Sequence, residues 1–521
     1  MKRKLSIILL VLAILGIIDA GYLTYEHFSD VILPCTVNRL IPFLSDCGAV
    51  LRSQYALIFG VPIALIGLAY YIILSSVTAL AIFTEKKLFW FLFLFQSMLG
   101  TFVSFYLMFI QFIVLRGFCQ YCTFSALISF TIFTLALAWL DQERQTVAIY
   151  FSHTMYRYIL KPVLFLINPE TIHEFILNFG EQLGKISFKK RFLQFFFDYK
   201  NPKLHQNIAG IDFENPVGLA AGFDYQAKLT QILPSLGFGF FTIGTVTNLP
   251  YAGNPSPMLG RLPKSKSLMV NKGFKNIGAN KICEKIMNKK MLIPTGISIG
   301  ISNSPKLTNL HQGIFDIMHA FTTCERSNIN ISYYELNISC PNLIHSQQIT
   351  FYPSENLKSL LLELEKLSIK KPVFVKMPIE KNNKQVVKML DTIIHFKFIK
   401  GVIFGNLQTD RSAPTLDPHE VKKFKVGKFS GKPCQKRSNE LIKLAYQKYG
   451  KKLIIIGCGG IFSSDDAYKK IKLGASLVQL ITGLIYEGPT LVAKINLGLT
   501  EQLKKDGFNH ISDAIGTNNI K

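Results

Sequence analysis

The sequence predicts a four-helix transmembrane bundle followed by an α/β domain, a (β/α)8 barrel of the TIM type with an N-terminal helical extension. Four long apolar runs lie between Leu5 and Leu140, and an amphipathic stretch follows them. From Pro216 onward, apolar runs typical of β-strands alternate with helical ones. Because 521 residues exceed one ordinary domain, we expect three segments. These are residues 1–145, 146–200 and 201–521.

Composition separates membrane insertion from nucleic-acid binding. The chain has 58 Lys and Arg against 33 Asp and Glu, and its formal net charge of +25 suits either nucleic acid or an anionic membrane face. Hydrophobic residues make up 49% of the chain and the mean hydropathy is +0.28. A nucleic-acid binder of this charge should be more polar. We therefore expect a membrane protein without a nucleic-acid partner.

Each of the four apolar runs is long enough to cross the hydrocarbon core, which takes about 20 helical residues. The first could instead be a signal peptide, but no small-residue cleavage pattern follows it. The basic flanks "MKRK" and "TEKK" are expected in the cytoplasm, although the opposite loop carries Arg39 and Arg52. This orientation predicts a multi-pass protein of the bacterial inner membrane with its barrel in the cytoplasm. The four runs are Leu5–Tyr25, Ala56–Phe83, Leu88–Leu115 and Phe118–Leu140.

Four cysteines are expected at the outer face: Cys35 and Cys47 in one loop, and Cys119 and Cys122 in "CQYC". A zinc site would need four ligands at tetrahedral spacing, and no nearby His supports one. A soluble thioredoxin-like motif would follow a strand, whereas apolar spans flank this pair. Two structural disulfides remain an alternative. A membrane dithiol would use the start of the fourth helix, where the helix dipole stabilises a thiolate.

The first half resembles the vitamin K epoxide reductase family in "SDCGAVLRSQYALIFGVPIALIGLAYY" and "FCQYCTFSA". The resemblance implies that Cys35 and Cys47 shuttle electrons, although their spacing is wider than usual. It implies that Cys119 exchanges with them, that Cys122 faces a quinone and that Ser53 lies near the quinone head. Electrons would pass from periplasmic thiols, with a thioredoxin-like protein as an expected partner, to the quinone pool. Alternatively, this half only anchors the barrel.

The segments after the fourth run predict an extension and a barrel. Met155–Lys185 has helical apolar spacing with a basic opposite face, which suits two short interfacial helices, although ordinary globular helices would look similar. Eight later runs are typical of parallel strands buried on both faces: "PVGLAAG", "FGFFTIGTVT", "TGISIGIS", "YYELNIS", "PVFVKMP", "GVIFGNL", "KLIIIGCGG" and "SLVQLITGLIY". Chemistry in such a barrel is expected at the carboxyl ends of the strands. Polar residues do follow these ends: Asn337, Cys340, Asn342, Lys376 and Asn406.

This second region resembles the dihydroorotate dehydrogenase family in "NPVGLAAGFD", "GFGFFTIGTVT", "ELNISCPN", "VKMP", "IIGCGGI" and "GASLVQLITGLIYEGP". The lead-in "NPETIHEF" is similar to the membrane-bound, quinone-using class, in which it forms the quinone entrance. The resemblance implies FMN as cofactor, quinone as electron acceptor, no metal, and Asn342 and Asn406 at the polar edge of the substrate. Flavin contacts are implied for Ala221, Gly222, Thr245, Asn337, Lys376, Gly431, Gly460, Ile481 and Thr482.

The same resemblance implies roles in catalysis. Cys340 would be the base that removes a proton next to a carbonyl while hydride passes to the flavin. Lys376 would balance the charge that develops on the reduced ring. The membrane-bound class usually has Ser at the position of Cys340. A thiol with an unperturbed pKa of about 8.5 is a more ready base than a hydroxyl.

Three departures from the family concern the substrate. Tyr225 replaces the substrate lysine, Leu407 replaces a threonine, and Asn271 is displaced by one position. Either Lys228 or Lys272 supplies the missing positive charge, or the substrate is a different small carbonyl acid. The leading hypothesis is oxidation of dihydroorotate to orotate, a step of pyrimidine biosynthesis.

Overall fold

The computed structural model describes residues 2–29, 50, 53–84, 87–115, 119–345 and 348–519. Two compact units make up the chain, Met1–Val147 and Ala148–Lys521. Each unit is described by itself.

The first unit is built from long apolar helices, as predicted. Within the described ranges, four helices are long and apolar enough to cross a membrane, over Leu5–Ser29, Ile63–Thr84, Leu88–Leu115 and Gln120–Leu137. Many large apolar side chains point outward, as in Phe102, whose exposed fraction is 65%. Such a surface suits lipid rather than water. The helices are α1 Lys2–Ser29, α2 Ile63–Thr84, α3 Lys87–Phe109 with a π-helical continuation Ile110–Leu115, and α4 Gln120–Met155.

The second apolar run begins with a hairpin, so its predicted start at Ala56 is wrong as a helix start. Strands β1 (Leu57–Ile58) and β2 (Val61–Pro62) pair antiparallel. Between them Gly60 has φ +80°, a left-handed conformation that glycine adopts without steric cost. Pro62 lacks the N–H that a preceding helical turn would need, and α2 begins directly after it at Ile63.

Three short helices follow the fourth long helix. Because α4 runs without a break to Met155, the predicted boundary between residues 145 and 146 lies inside a helix. A π-helical turn, Tyr156–Leu160, leads to α5 Lys161–Leu166, α6 Pro169–Gly184 and α7 Ser187–Phe197. Asn168 caps α6, since its Oδ1 accepts from the N–H of Glu170 at 2.8 Å.

A closed barrel of eight parallel strands forms the core of the second unit, as predicted. Its order is β10-β11-β12-β14-β15-β5-β6-β9. The strands of this unit are β3 Gln206–Ile208, β4 Ile211–Phe213, β5 Val217–Leu219, β6 Phe240–Val246, β7 Leu259–Leu262, β8 Ser267–Val270, β9 Thr295–Ile299, β10 Tyr333–Asn337, β11 Val373–Met377, β12 Ile399–Phe404, β13 Lys428–Phe429, β14 Ile454–Cys458 and β15 Leu477–Leu480. The remaining helices are α8 Ala279–Ile286, α9 Leu310–Arg326, α10 Ser354–Glu365, α11 Asn383–Ile393, α12 Pro418–Lys422, α13 Gln435–Tyr449, α14 Ser464–Lys472, α15 Thr482–Glu487 and α16 Leu491–Asp506.

Two antiparallel elements absent from the sequence prediction lie at the two ends of the barrel. The β3–β4 hairpin packs Ile208 and Ile211 against Phe240, Tyr333 and Phe374 at the amino ends of the strands. A three-stranded sheet, β13-β8-β7, contributes residues to the cleft at the carboxyl ends. The amino end is therefore filled with side chains, and the carboxyl end is left for chemistry. The last predicted run also changes structure midway, because α15 begins at Thr482.

Candidate active site

A cleft opens at the carboxyl ends of the barrel strands and gathers most of the predicted flavin contacts. The residues that line it come from the strand ends, from β7 and β8, and from α6. Seven of the nine predicted contacts are among them: Ala221, Gly222, Thr245, Asn337, Lys376, Ile481 and Thr482.

Hydrogen bonds order the polar wall of this cleft. Asn337 donates from Nδ2 to Thr245 Oγ1 at 2.8 Å, and Thr245 Oγ1 lies 3.0 Å from Ser298 Oγ. The N–H of Ser339 donates to Asn337 Oδ1 at 3.2 Å, and Asn406 donates to the Ser339 carbonyl. Because each side chain is fixed by a neighbour, the wall is preorganised for a ligand.

The burial and the charge of Lys376 bear on whether the cleft fits a flavin. Its exposed fraction is 5%, and it makes no hydrogen bond or ion pair within the part of the chain that the structure describes. A buried ammonium without a partner is costly, so a ligand that carries or develops negative charge beside it would be stabilised. The residues present therefore fit FMN.

The two remaining predicted contacts, Gly431 and Gly460, do not line the cleft. A Cβ on Gly431, which has φ +85°, would meet the Lys266 carbonyl oxygen at 2.5 Å and Thr482 Cγ2 at 2.7 Å. The adjacent Ser430 does line the cleft, and its Oγ lies 2.8 Å from Thr482 Oγ1. A Cβ on Gly460 would meet Gln435 Cβ at 2.4 Å. Both positions therefore need glycine for close packing. The flavin contacts predicted for Gly431 and Gly460 stay predictions.

Cys340 lines the cleft, but it is a poorer base than the sequence suggested. Burial raises the pKa of its thiol to about 12, and the N–H of Asn342 and the charge of Lys376 only partly offset this. The expectation of a ready base assumed an unperturbed thiol. In its surroundings the thiol is protonated at neutral pH.

The substrate end of the cleft contains both predicted asparagines. Asn342 donates from Nδ2 to the Val270 carbonyl at 3.0 Å, and Asn406 lines the same space. Leu407 also lines the cleft, whereas Asn271 does not. Asn271 instead accepts a hydrogen bond from Asn254 at 3.0 Å. The displaced asparagine is thus replaced in the cleft wall by its neighbour, Lys272.

Tyr225, which stands at the family's lysine position, is tied to the extension. Its hydroxyl donates to Glu174 of α6, and Lys275 Nζ lies 3.0 Å from the same carboxylate oxygen. Burial alone would raise the pKa of Glu174. These hydrogen bonds and the charge of Lys275 outweigh burial and lower the pKa to about 2. The charge of Lys275 is therefore already compensated.

Lys272, like Lys376, is a cation of the cleft wall without a carboxylate within 4.0 Å among the described residues. Its Nζ lies 4.4 Å from the ring centroid of Tyr225 and 3.2 Å from His173 Nδ1. Burial lowers the pKa of Lys272 to about 7. His173 Nε2 lies 2.9 Å from the Phe223 carbonyl, which can only accept, so Nε2 carries the proton and Nδ1 accepts from Lys272. Burial and the Lys272 charge lower the pKa of His173 to about 3, which keeps it neutral.

The other candidate for the missing charge, Lys228, does not line the cleft. Its Nζ donates to Asn178 Oδ1 of α6 at 2.6 Å in an exposed position. Of the two lysines that the sequence left as alternatives, the structure thus places only Lys272 in the cleft wall.

A second cleft lies between α6 and β7. It is lined by Glu170, Thr171, Glu174 and Met258, together with residues that also line the flavin cleft. The shared residues are His173, Tyr225, Leu259, Lys272 and Lys275. The two clefts therefore have a common wall.

The sequence analysis missed His173, Glu174 and Lys275, although the first two lie within the quoted motif "NPETIHEF". A usable signal was present. His173 shares one face of α6 with Leu177, Gly180 and Gly184, and all four are buried. A polar side chain on the buried face of an amphipathic helix requires a partner.

The first unit contains an apolar cavity of about 640 Å³. Cys122 and Ser53 both line it, as do the polar side chains of Gln96 and Ser125. Cys119 is fully buried and does not line it. The cavity is within the size range of small-molecule sites, and its few polar groups could orient an apolar ligand.

Cys119 stands directly before the first residue of α4, and Cys122 is the third residue of that helix. The N–H of Cys122 points to Cys119 Sγ at 3.5 Å, and the N–H of Cys119 donates to Gln111 Oε1 at 3.1 Å. A sulfur at this capping position is favoured as the thiolate. Both are free thiols. Cys35 and Cys47 lie outside the described residues.

Asp19 is a further polar residue that the sequence analysis missed. It lies in α1 with an exposed fraction of 7%, and its Oδ2 has no hydrogen-bond partner among the described residues. Its chain neighbour Ala20 lines the cavity. The signal was a single carboxylate within an apolar run, since ionisable residues inside membrane spans are usually functional.

Comparison with known proteins places both regions. The dihydroorotate dehydrogenase family model matches residues 203–503, and the vitamin K epoxide reductase family model matches residues 7–137. A relative from Trichodesmium erythraeum (strain IMS101), "Dihydroorotate dehydrogenase (quinone)", is 37% identical over 384 residues, which covers 70% of this chain and 99% of the relative. One of the same name from Christiangramia forsetii is 36% identical over 353 residues, with coverage of 67% and 99%.

Solved structures are similar as well. The crystal structure of DHODH in complex with ferulenol from Eimeria tenella superposes with a TM-score of 0.60 at 26% sequence identity. The superposition covers 68% of this chain and 96% of that chain. The ligand-free form from the same organism gives a TM-score of 0.60 at 25% identity.

Proposed function

Because this chain belongs to the dihydroorotate dehydrogenase family, we propose that its barrel oxidises dihydroorotate to orotate with FMN and passes the electrons to a membrane quinone. The observation that carries this proposal is the cleft at the carboxyl end of the barrel. It brings Cys340, Lys376 and Asn342 together with seven of the predicted flavin contacts. Bound FMN would supply the hydride acceptor.

The residues of the cleft have separate roles in this proposal. Cys340 takes the proton from the carbon next to the substrate carbonyl. Since burial raises the pKa of this thiol, Cys340 must first lose its own proton to solvent. Lys376 stabilises negative charge at the flavin position, and Asn337 and Thr245 hold that wall in place.

Lys272 is proposed to bind the substrate carboxylate. It lies beside Tyr225, where the family has its lysine, and the described residues offer its ammonium no carboxylate within 4.0 Å. A charge-assisted hydrogen bond to an anion would stabilise the protonated lysine. The positive charge is thus retained in space although it has moved along the chain.

The quinone is proposed to enter through the second cleft, between α6 and β7. That cleft shares a wall with the flavin cleft, so a quinone there would approach the flavin site. His173 would contribute a neutral imidazole and Tyr225 an aromatic face. Exposed apolar side chains on α6, such as Phe175 and Phe179, suit contact with a lipid surface.

Anaerobic titration tests the barrel proposal. Purified, FMN-loaded full-length protein in detergent should lose its flavin absorbance on addition of dihydroorotate and regain it on addition of a soluble quinone. Dihydrouracil, which lacks the carboxylate, should bleach the flavin far more slowly. Bleaching by another carbonyl acid but not by dihydroorotate would favour the alternative substrate. Protein that binds no flavin after reconstitution would refute the assignment.

The membrane half is proposed to be a thiol:quinone oxidoreductase rather than a simple anchor. Cys122 and Ser53 line one apolar cavity, and Cys119 lies directly behind Cys122 at the start of α4. In the balanced step, two thiols form a disulfide while a quinone takes two electrons and two protons to become a quinol. Asp19 offers a proton-accepting group next to this cavity.

The four apolar helices and the family match indicate a membrane-anchored protein. We propose that it lies in a bacterial inner membrane, with the barrel in the cytoplasm and the cysteines at the outer face, where a thioredoxin-like protein would deliver thiols. Labelling of intact cells with a membrane-impermeant maleimide should modify Cys47. Labelling only after lysis would reverse the proposed orientation.

A further inference from the structure

A basic cleft of about 610 Å³ lies in the second unit, and its lining residues are different from those that line the flavin cleft. Arg157 reaches it from the π-helical turn before α5, and the other cations come from the barrel. Five basic side chains line it: Arg157, Lys264, Lys266, Lys432 and Lys494.

Four of these five cations have no carboxylate within 4.0 Å among the described residues. Lys264 is the exception, with its Nζ 3.7 Å from Asp417 Oδ2 in an exposed position. Lys432 donates to the neutral amide of Gln435, and Lys266 Nζ lies 5.7 Å from the ring centroid of Phe462. The positive charge of the cleft is therefore largely uncompensated.

Two carboxylates, Asp466 and Glu487, share the lining with the five cations. Asp466 Oδ2 accepts from the N–H of Phe462 at 3.0 Å, and its Oδ1 accepts from Gln435. Glu487 Oε2 lies 3.8 Å from His153 Nε2. Neither carboxylate forms a close ion pair with the five cations, so the cleft keeps room for an external anion.

The cations of the cleft repel one another and nearby lysines. Burial lowers the pKa of Lys494, and the charge of Arg157 lowers it further, although Glu487 acts in the opposite direction. Lys161 shows the same pattern, since burial, Arg157 and Lys266 all lower its pKa. A bound anion would relieve this repulsion.

Bulky apolar side chains are exposed on the π-helical turn that carries Arg157 and on α5, which follows it. Tyr158, Leu160 and Leu166 have exposed fractions of 69%, 52% and 87%. A short helical segment with a cation directed into a polar cleft and bulky apolar side chains directed outward is typical of the boundary between lipid headgroups and acyl chains.

From these observations we infer that the cleft of Arg157, Lys264, Lys266, Lys432 and Lys494 is a binding site for a phosphate group, with the headgroup of an anionic phospholipid as its favoured source. The cleft volume exceeds the lower limit of about 300 Å³ for small-molecule sites, so a glycerophosphate headgroup can enter it. This inference does not depend on which reaction the barrel catalyses.

The test uses full-length, FMN-loaded protein that has been delipidated in a neutral detergent. Isothermal titration calorimetry would measure the binding of dihexanoyl-phosphatidylglycerol, dihexanoyl-phosphatidylcholine and inorganic phosphate. The variant R157Q/K266Q/K494Q removes three charges from the cleft, and the single variant R157Q covers the case in which the triple variant fails to fold. The matched control is K400Q/K451Q/K452Q, which removes three charges from a cleft elsewhere on the barrel.

We expect phosphatidylglycerol to bind the unmodified protein more tightly than phosphatidylcholine. The triple cleft variant should weaken it at least about tenfold, and R157Q should weaken it in the same direction. The control variant should bind as the unmodified protein does. Phosphate that displaces phosphatidylglycerol would show that a soluble phosphate can fill the site, and phosphate that does not would assign the site to lipid.

Three results would overturn the inference. In the first, neither phosphatidylglycerol nor phosphate binds. In the second, the control variant loses as much affinity as the cleft variant, which would mean that only total charge matters. In the third, the cleft variant loses FMN, which would assign these cations to the flavin phosphate instead.

Discussion

At the scale of single residues, the substrate end depends on where one positive charge lies in space. Tyr225 cannot bind a carboxylate by charge, and its hydroxyl is committed to Glu174. Lys272 reaches the same wall from the loop after β8, with its Nζ 4.4 Å from the Tyr225 ring. In the proposed function, a lysine from another part of the chain therefore offsets the replacement of the family's lysine by Tyr225.

The first prediction concerns Lys272→Met. Loss of a charge-assisted hydrogen bond costs about 1.5–3 kcal/mol, so KM for dihydroorotate should rise by about 10- to 150-fold while FMN stays bound. Steady-state kinetics with a soluble quinone would measure this. Lys228→Met is the control, because Lys228 contacts Asn178 outside the cleft, and it should change KM little. A larger effect in Lys228→Met than in Lys272→Met would reverse the assignment.

The second prediction concerns the pH dependence of substrate binding. The carboxylate requires a protonated Lys272, whose pKa in the folded protein is lowered to about 7. Affinity is therefore greatest below pH 7 and declines as the pH rises through that value. KM measured from pH 6 to 9 should increase with pH in the unmodified protein and stay nearly flat in Lys272→Met. A flat profile in both proteins would exclude Lys272 as the carboxylate ligand.

The third prediction concerns Cys340. Because burial raises the pKa of this thiol to about 12, the rate of flavin reduction at saturating dihydroorotate should keep rising with pH above 9. Cys340→Ala should slow that step by about 10²- to 10⁴-fold with FMN retained. Stopped-flow absorbance would measure both effects. Unchanged flavin reduction in Cys340→Ala would show that another group removes the proton.

At the scale of elements, helix α6 forms one wall of the cleft that is proposed for the quinone. Gly180 allows α6 to approach the barrel closely, since a Cβ there would meet Leu229 Cδ2 at 2.5 Å. The helix also places His173 and Glu174 against the flavin cleft. Its position should therefore matter for the quinone step more than for the substrate step.

The fourth prediction follows from this packing. Gly180→Leu should displace α6 and slow reoxidation of the reduced flavin by quinone about 10- to 100-fold, while reduction by dihydroorotate changes little. Phe179→Leu is the control, because Phe179 is exposed on the same helix. Separate stopped-flow measurements of the two half-reactions would distinguish them. Equal slowing of both half-reactions would mean that α6 supports the whole barrel instead.

In the membrane half, the first turn of helix α4 places Cys122 at the apolar cavity. Cys122→Ala removes the thiol that lines the apolar cavity, so quinone reduction by a dithiol donor should stop. Oxidation of dihydroorotate by the same sample serves as an internal control and should be unaffected. Retained dithiol-to-quinone activity would favour the structural-disulfide or anchor interpretation of these cysteines.

At the scale of the whole molecule, the proposed topology keeps the two redox sites apart. With the cysteines at the outer face and the barrel in the cytoplasm, about 30 Å of hydrocarbon lies between the two sides. Both sites would deliver electrons to quinone, so neither supplies the other with an oxidised acceptor. A mobile quinone that visits both sites would be their only connection.

The fifth prediction tests this separation. In sealed vesicles that contain the protein but no quinone, dihydroorotate should reduce the flavin and leave the thiol state of Cys119 and Cys122 unchanged. Thiol labelling followed by mass spectrometry would measure the cysteines. Reduction of a Cys119–Cys122 disulfide without added quinone would contradict the idea and would require direct electron transfer.

The sequence alone was sufficient for the four apolar helices and the eight-stranded barrel. Four apolar helices and eight barrel strands were predicted, because membrane insertion and burial on both faces of a strand leave local, continuous apolar patterns. Cys340, Lys376 and Asn342 were also expected at one end of the barrel, because the carboxyl ends of all its parallel strands meet on one face. These properties depend on residues that are close together along the chain.

Only the tertiary structure decided the properties that depend on distant parts of the chain. It placed Lys272, and not Lys228, in the cleft wall. Which cation lacks a carboxylate partner depends on neighbours in space, such as His173 and Glu174 on α6. It changed the expectation for Cys340, because a thiol's pKa follows its desolvation and not its residue type. It also revealed the basic cleft around Arg157, whose cations come from segments that no local pattern connects.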